Sequence, residues 1–242
     1  MISLLSSSYF SFPKNDEREN QDSILPATQI GNSYVFAVAD GVGSYEGAKQ
    51  VSSIAVEHIA HLTELELNIT DIFTVIREKI IAFSDSEPRF AKAATTLTMA
   101  ILNSNGLRIG HIGDCRLYVK EGNKLRQKTT DHTSHQKLLE HKIYTKKELK
   151  TMSGKNIINE ALTKRLEANF DEIFIPYEDI PTENNLATFY IMSDGAHAFW
   201  EHRPRFSANT LNHTDSFSAS LRRRIEKAPT DDYSLVAVQF KL

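Results

Sequence analysis

Four short acidic clusters lie at the ends of apolar, β-like runs: Gln21-Asp22, Asp40-Gly41, Ser193-Asp194-Gly195 and Asp231-Asp232. Val35 to Ala39 runs into Asp40, Leu186 to Met192 runs into Ser193-Asp194, and Asp231 stands just before Ser234 to Val238. Carboxylates held a few Å apart in a partly dry site repel strongly, so they stay ionised only where a cation neutralises them. The chemistry such residues suit is a hard-cation site assembled from distant parts of the chain. Oxygen donors select magnesium or manganese; zinc favours His and Cys. The chain has a single Cys and nine scattered His with no HxH, HxxxH or CxxC pairing. Any one Asp-Gly pair is more often a turn than a ligand, so the weight rests on their combination.

The elements that must position these residues follow from pattern. In 242 residues, 40% hydrophobic content suffices for one core, and no repeat, low-complexity tract or linker marks a boundary, so a single domain over 1–242 is expected. Tyr45 to Leu62 and Asp71 to Phe83 carry apolar residues at helical spacing and predict two amphipathic helices. Thr95 to Asn103, Leu107 to Gly113, Arg116 to Lys120 and Leu125 to Thr130 read as strands joined by turns. Residues at about 133–159 form a polar, Lys-rich excursion, read as a solvated surface or as a substrate-facing flap. Strands resume at Glu172 to Pro176 and Ala187 to Met192; Ser216 to Lys227 predicts a helix and Tyr233 to Phe240 a final strand. The order does not alternate βαβα, so an α+β fold with segregated layers and mainly antiparallel sheets is expected.

Net charge is −3, from 28 basic and 31 acidic residues, which argues against nucleic acid or an anionic membrane as partner. The N-terminal Met1 to Phe10 has no basic region and is broken by serines; it reads as an edge strand, not a signal peptide. No stretch approaches the ~18 apolar residues of a membrane helix. A soluble, cytoplasmic monomer is the expectation, and the lone Cys115, a small buried hydrophobe in this reading, suits a reducing compartment.

The motifs between the acidic clusters carry a resemblance. Arg18-Glu-Asn-Gln-Asp22, Val38-Ala-Asp-Gly-Val-Gly43, Ala94-Thr-Thr-Leu97, Ile109 to Tyr118 with its Gly-Asp-Cys-Arg turn, Thr130-Asp-His-Thr133, Ala161 to Leu166, Met192-Ser-Asp-Gly195 and Asp231-Asp-Tyr-Ser-Leu235 follow one another in order. That series resembles the bacterial type of the metal-dependent Ser/Thr protein phosphatases, the protein phosphatase 2C-like family, over nearly the whole chain. The resemblance implies a four-layer α-β-β-α sandwich with two mainly antiparallel β-sheets, and two Mg or Mn ions at one end. Asp40 would bridge the ions, the Gly41 carbonyl would add an oxygen, and Asp194 and Asp231 would complete the first ion. A water between the ions would attack phosphorus in line. Asp22 would orient that water, and Arg18 would grip phosphate oxygens with its planar guanidinium; taken alone, Arg18 reads as a solvated arginine. Asp114 is read equally as the holder of a third ion or as a carboxylate capping a tight hairpin.

The resemblance further implies phosphorylated proteins as substrates and a Ser/Thr kinase as the enzyme opposed. The chain departs from the family pattern at Gln21, where an acid is common and an amide would hold the second ion weakly or through water; at Val42, where animal members carry His; at Ser44, where a glycine is common; and at Glu167, where Gly is usual. Thr95 and Thr96 read as strand and core-rim residues, Trp200 as core, and Asp131-His132 as a cap for the following helix. Two rival readings stay open: a catalytically silent, phosphatase-like binding module, and a phosphohydrolase acting on small phosphate esters.

Overall fold

The structure, a computed structural model, describes residues 2–43, 45–149, 152, 154 and 157–242. Ser44 and part of the excursion (150, 151, 153, 155, 156) lie outside the described residues. Along the chain come β1 (Ser3–Phe12), β2 (Ser23–Ile30), β3 (Ser33–Ala39), α1 (Ala48–Ala60) and α2 (Ile69–Ser86). Then follow β4 (Ala94–Thr95), β5 (Leu97–Asn103), β6 (Gly106–Ile112), β7 (Arg116–Glu121), β8 (Lys124–Gln127), α3 (Ser134–Glu140) and α4 (Lys146–Leu149). The last third holds β9 (Leu162–Thr163), β10 (Asp171–Pro176), β11 (Leu186–Met192), α5 (Asp194–His202), α6 (Ala208–Asn212), α7 (Thr214–Ile225) and β12 (Tyr233–Lys241).

Two five-stranded sheets form, ordered β1-β12-β11-β7-β8 and β10-β6-β5-β3-β2, with β4 and β9 as a separate pair. Every pairing between these strands is antiparallel. Side chains on a strand alternate between faces, and here both faces are covered, so the runs are apolar throughout. On β3, Val35, Ala37 and Ala39 pack under Val51, Ala55 and Ile59 of α1 and Ile72, Phe73 and Ile76 of α2. Its alternate residues Phe36 and Val38 face the other sheet, meeting Phe189, Val236, Val238 and Phe240. On the outer side of β12, Leu235 and Ala237 pack with Trp200, Phe217, Leu221 and Ile225 of the C-terminal helices. Three apolar layers between four layers of backbone give an α+β, α-β-β-α sandwich.

The N-terminal segment is an edge strand, as its pattern suggests. The strand β2, which periodicity does not announce, is the opposite sheet's edge; Pro26 sits at its irregular register between Leu25 and Thr28, a place where a missing N–H is tolerated. The helix predicted from Asp71 begins earlier, at Ile69, because the Asn68 side chain accepts from the Asp71 N–H (3.1 Å). Asp131-His132 does not cap α3. Thr133 does, its hydroxyl accepting from the Gln136 N–H, while Asp131 is held elsewhere by Arg116.

Candidate metal centre and phosphate site

Asp40 ends β3 and is fixed through its backbone. Its N–H donates to Thr96 Oγ1 (3.1 Å), and its carbonyl accepts from Thr96 N–H (2.8 Å) and Thr95 Oγ1 (3.0 Å). The two threonines thus serve as buried anchors and not as reactants. Gly41 donates to the Gln21 carbonyl (3.2 Å), and a Cβ at Gly41 would lie 2.9 Å from that oxygen. Only glycine allows the chain from β3 to pass so close to the Gln21-Asp22 segment.

The same device joins the other two acidic clusters. A Cβ at Gly195 would fall 2.1 Å from the Asp232 carbonyl oxygen and 3.3 Å from the Asp231 carbonyl carbon. Ser193 locks this corner: its hydroxyl donates to Asp22 Oδ2 (2.9 Å) and accepts from the Ser234 N–H (2.9 Å). Pieces some 170 to 210 residues apart therefore abut, and their carboxylates act on one another.

Burial raises the Asp40 carboxyl well above the usual range, and the charges of Asp22, Asp194, Asp114 and Asp231 raise it further. Asp194 is raised in the same way, by burial and then by Asp114, Asp231 and Asp22. Asp22 is pushed up to about 6 by burial, against the Ser234 and Ser193 hydrogen bonds. Asp114, in the turn between β6 and β7, is pushed up to about 7 by burial and by Asp131, with Arg116 opposing. Asp22 and Asp114 are almost wholly buried, and Oδ1 of each has no hydrogen-bond partner. Unpaired buried carboxylate oxygens in a ring of like charge are a poor arrangement without a cation and a good one with it.

Among the described residues, no three His, Cys, Asp or Glu side chains stand grouped as metal ligands. Mutually repelling carboxylates do not close into one coordination shell by themselves. The donor set is oxygen only, the chemistry that fits a hard divalent ion.

Arg18 stands beside this cluster, one-third exposed. Its Nη1 donates to Asp231 Oδ1 (3.3 Å), and its Nη2 to Asp232 Oδ2 (3.1 Å) and Gln21 Oε1 (3.1 Å). The Gln21 amide oxygen is thus engaged by a cationic side chain. An open pocket of about 320 Å³ lies against another side of Asp22, lined also by Asn20, Lys49 and Glu57; none of Asp40, Asp194 and Asp231 lines it.

Behind Asp114 lies a polar layer that sequence reasoning did not find. His197 of α5, buried, donates from Nε2 to the Asp114 carbonyl (3.1 Å), and burial lowers its pKa to about 3, so it is neutral. His132 accepts from the Gly113 N–H and donates to Asp171 (3.1 Å), and buried His111, lowered to about 4, donates to the Thr130 carbonyl (2.9 Å). Arg116 meets Asp131 in a bidentate pair at 2.8 and 2.6 Å. Arg116 and Asp131 belong to quoted motifs, yet their separation in sequence gives no sign of the pair. Cys115 is buried with its thiol pKa raised by burial, which leaves it unreactive.

The family model described as protein phosphatase 2C matches residues 14–238. Serine/threonine phosphatase stp of Listeria welshimeri is 29% identical over 161 residues, covering 62% of this chain and 64% of that protein. The match thus spans a little under two thirds of that relative's length. The crystal structure of the Mycobacterium tuberculosis serine/threonine phosphatase PstP/Ppp superposes with a TM-score of 0.78 at 22% identity, covering 98% of each chain. The catalytic domain of PstP in complex with 2 manganese ions gives 0.75 at 21% identity, over 99% and 98% of the two chains. These likenesses establish the fold.

Proposed function

Because the chain belongs to the protein phosphatase 2C family, we propose that it is a metal-dependent protein Ser/Thr phosphatase that hydrolyses phosphoserine and phosphothreonine. The observation that carries the reading is the convergence of the Asp22, Asp40, Asp114, Asp194 and Asp231 charges, each of the other four raising the Asp40 carboxyl. Asp40, the Gly41 carbonyl, Asp194 and Asp231 would hold two Mg or Mn ions, as the manganese complex of PstP suggests. Gln21 would contribute weakly or through water, and Asp114 would hold a third ion. Such ions, when bound, supply the positive charge that activates a water for in-line attack and neutralises the phosphoryl oxygens.

The chain's own residues do the rest. Arg18 offers the N–H donors of Nη1 to the phosphoryl group once it releases Asp231, while Nη2 stays with Asp232 and Gln21. Asp22, anchored through Oδ2 to Ser193, presents an unpartnered Oδ1 that can accept a hydrogen bond or a proton from the attacking water. Phosphorylated proteins are the proposed substrates and a Ser/Thr kinase the opposing activity. No helix among the described residues is long and apolar enough to cross a membrane.

The test is manganese-dependent hydrolysis of a phosphothreonine peptide and an aryl phosphate by the wild type, Asp40→Asn and Asp231→Asn. Each substitution is expected to lower kcat/KM by about a thousandfold or more. Unchanged turnover in both variants, or full activity in excess chelator, refutes the proposal. Manganese binding without turnover on either substrate favours a silent binding module.

A further inference from the structure

Asp231 and its neighbour Asp232 share Arg18 but differ in burial and in their other partners. The Asp231 side chain is 46% exposed, the Asp232 side chain 3%. Both carboxylate oxygens of Asp232 are committed to residues 14–21. Oδ1 accepts from the Lys14 N–H (2.8 Å), and Oδ2 accepts from the Gln21 N–H (2.8 Å) and from Arg18 Nη2 (3.1 Å). Lys14 and Gln21 flank the turn that carries Arg18, so one carboxylate closes that turn at both ends and holds the side chain at its middle. The Asp232 backbone is itself pinned, since its carbonyl lies where a Cβ at Gly195 would be.

We propose that Asp232 is the positioning residue for Arg18, presenting the guanidinium to the substrate's phosphoryl group; this rests on the phosphatase reading above. Arg18 gives Nη1 to Asp231, and Nη2 to Asp232 and to Gln21 Oε1. If Asp231 is given over to a cation, Nη2 stays with Asp232 and the Gln21 amide oxygen, and Asp232 is the charged partner of the two. The role requires a carboxylate. An asparagine of the same shape has one acceptor oxygen and turns an NH₂ toward donors, so it satisfies one end of the turn and opposes the other. Pre-organisation of this kind is felt where phosphate is bound, in KM and product affinity, more than in the bond-breaking step.

The experiment compares wild type, Asp232→Asn, Arg18→Ala and the double variant, all with manganese, on a phosphothreonine peptide with inorganic phosphate as product inhibitor. Asp232→Asn should raise KM and the phosphate inhibition constant about tenfold while lowering kcat by less than about threefold. The double variant should be no worse than Arg18→Ala, because both changes remove one function. Hydrogen exchange should show lost protection at the Lys14 or Gln21 amide in Asp232→Asn.

Constants within about twofold of wild type in Asp232→Asn, or fully additive effects in the double variant, overturn the inference while leaving the phosphatase reading intact. Wild-type protein that neither turns over the peptide nor binds phosphate overturns both.

Discussion

Asp114→Asn in the metal-free protein should stabilise the fold at alkaline pH and not at acid pH. Burial first, then Asp131, pushes the Asp114 carboxyl from 3.8 to about 7. A carboxyl harder to ionise in the folded chain than in the unfolded one contributes stability that is complete below the unfolded value. That contribution is lost as pH rises through the folded value. Here the window runs from 3.8 to about 7, and its height is up to roughly 4 kcal/mol.

Asparagine has nearly the same shape and never ionises, so the variant escapes the loss. At pH 8 in chelator it should melt roughly 10 °C above wild type, and at pH 4 within about 2 °C of it. The absolute pH profile of either protein is not the test. His111 and His197, lowered to about 4 and about 3, give stability present above the ordinary His value and lost as pH falls, a slope of opposite sign. Both proteins keep these histidines, so the difference between their profiles carries Asp114 together with the relief of Asp40 and Asp194, which its charge raises; that relief adds to the gap with the same sign. Scanning calorimetry at pH 4, 6 and 8 reads it, and manganese should narrow the gap at pH 8 by favouring the wild type. A variant no more stable than wild type at pH 8, or a gap of equal size at pH 4, refutes the reasoning.

Gly195→Ala drives a Cβ to 2.1 Å from the Asp232 carbonyl, so backbone must move; a loss of about 3 kcal/mol in urea unfolding is expected, and an unaltered midpoint contradicts the close approach. Arg116→Met leaves the mostly buried Asp131 unpaired and should cost about 3 kcal/mol, whereas Arg116→Met with Asp131→Asn should recover about half of that; a double variant worse than the sum of the singles argues against the pair. Phe189→Ala, between the two sheets, should cost about 4 kcal/mol, while Leu5→Ala on the exposed face of β1 should stay within about 0.5 kcal/mol, with equal losses at the two sites refuting the layered core.

What the sequence reveals and what it conceals divide along the range of the interaction. The strands were legible because β3, β5, β11 and β12 are covered on both faces, so that burial shows as an unbroken apolar run. The acidic residues at their ends were legible for the same reason, a run of that kind having no local use for a carboxylate. The helix α5 was not legible: its first residue, Asp194, reads as the end of a strand motif, and its nine residues are too few for a helical period to show. Nor was the pairing of Arg116 with Asp131, a residue that the sequence reads as a cap for the helix that Thr133 caps.

The Asp231-Asp232 step is the sharpest case. Two identical residues in succession take different places here: Asp231 stands at a bend and Asp232 just ahead of β12, and both reach Arg18. Asp231 is partly exposed, beside Asp40 and Asp194; Asp232 is buried against the turn of Lys14, Arg18 and Gln21. Residue type gives each aspartate the same chemistry, and what tells the two apart is burial and the backbone amides that Asp232 accepts from. A substitution at either position should therefore fail in its own way, Asp232 giving up the Lys14 and Gln21 amides as well as Arg18, and Asp231 giving up Arg18 and its half-exposed place beside Asp40.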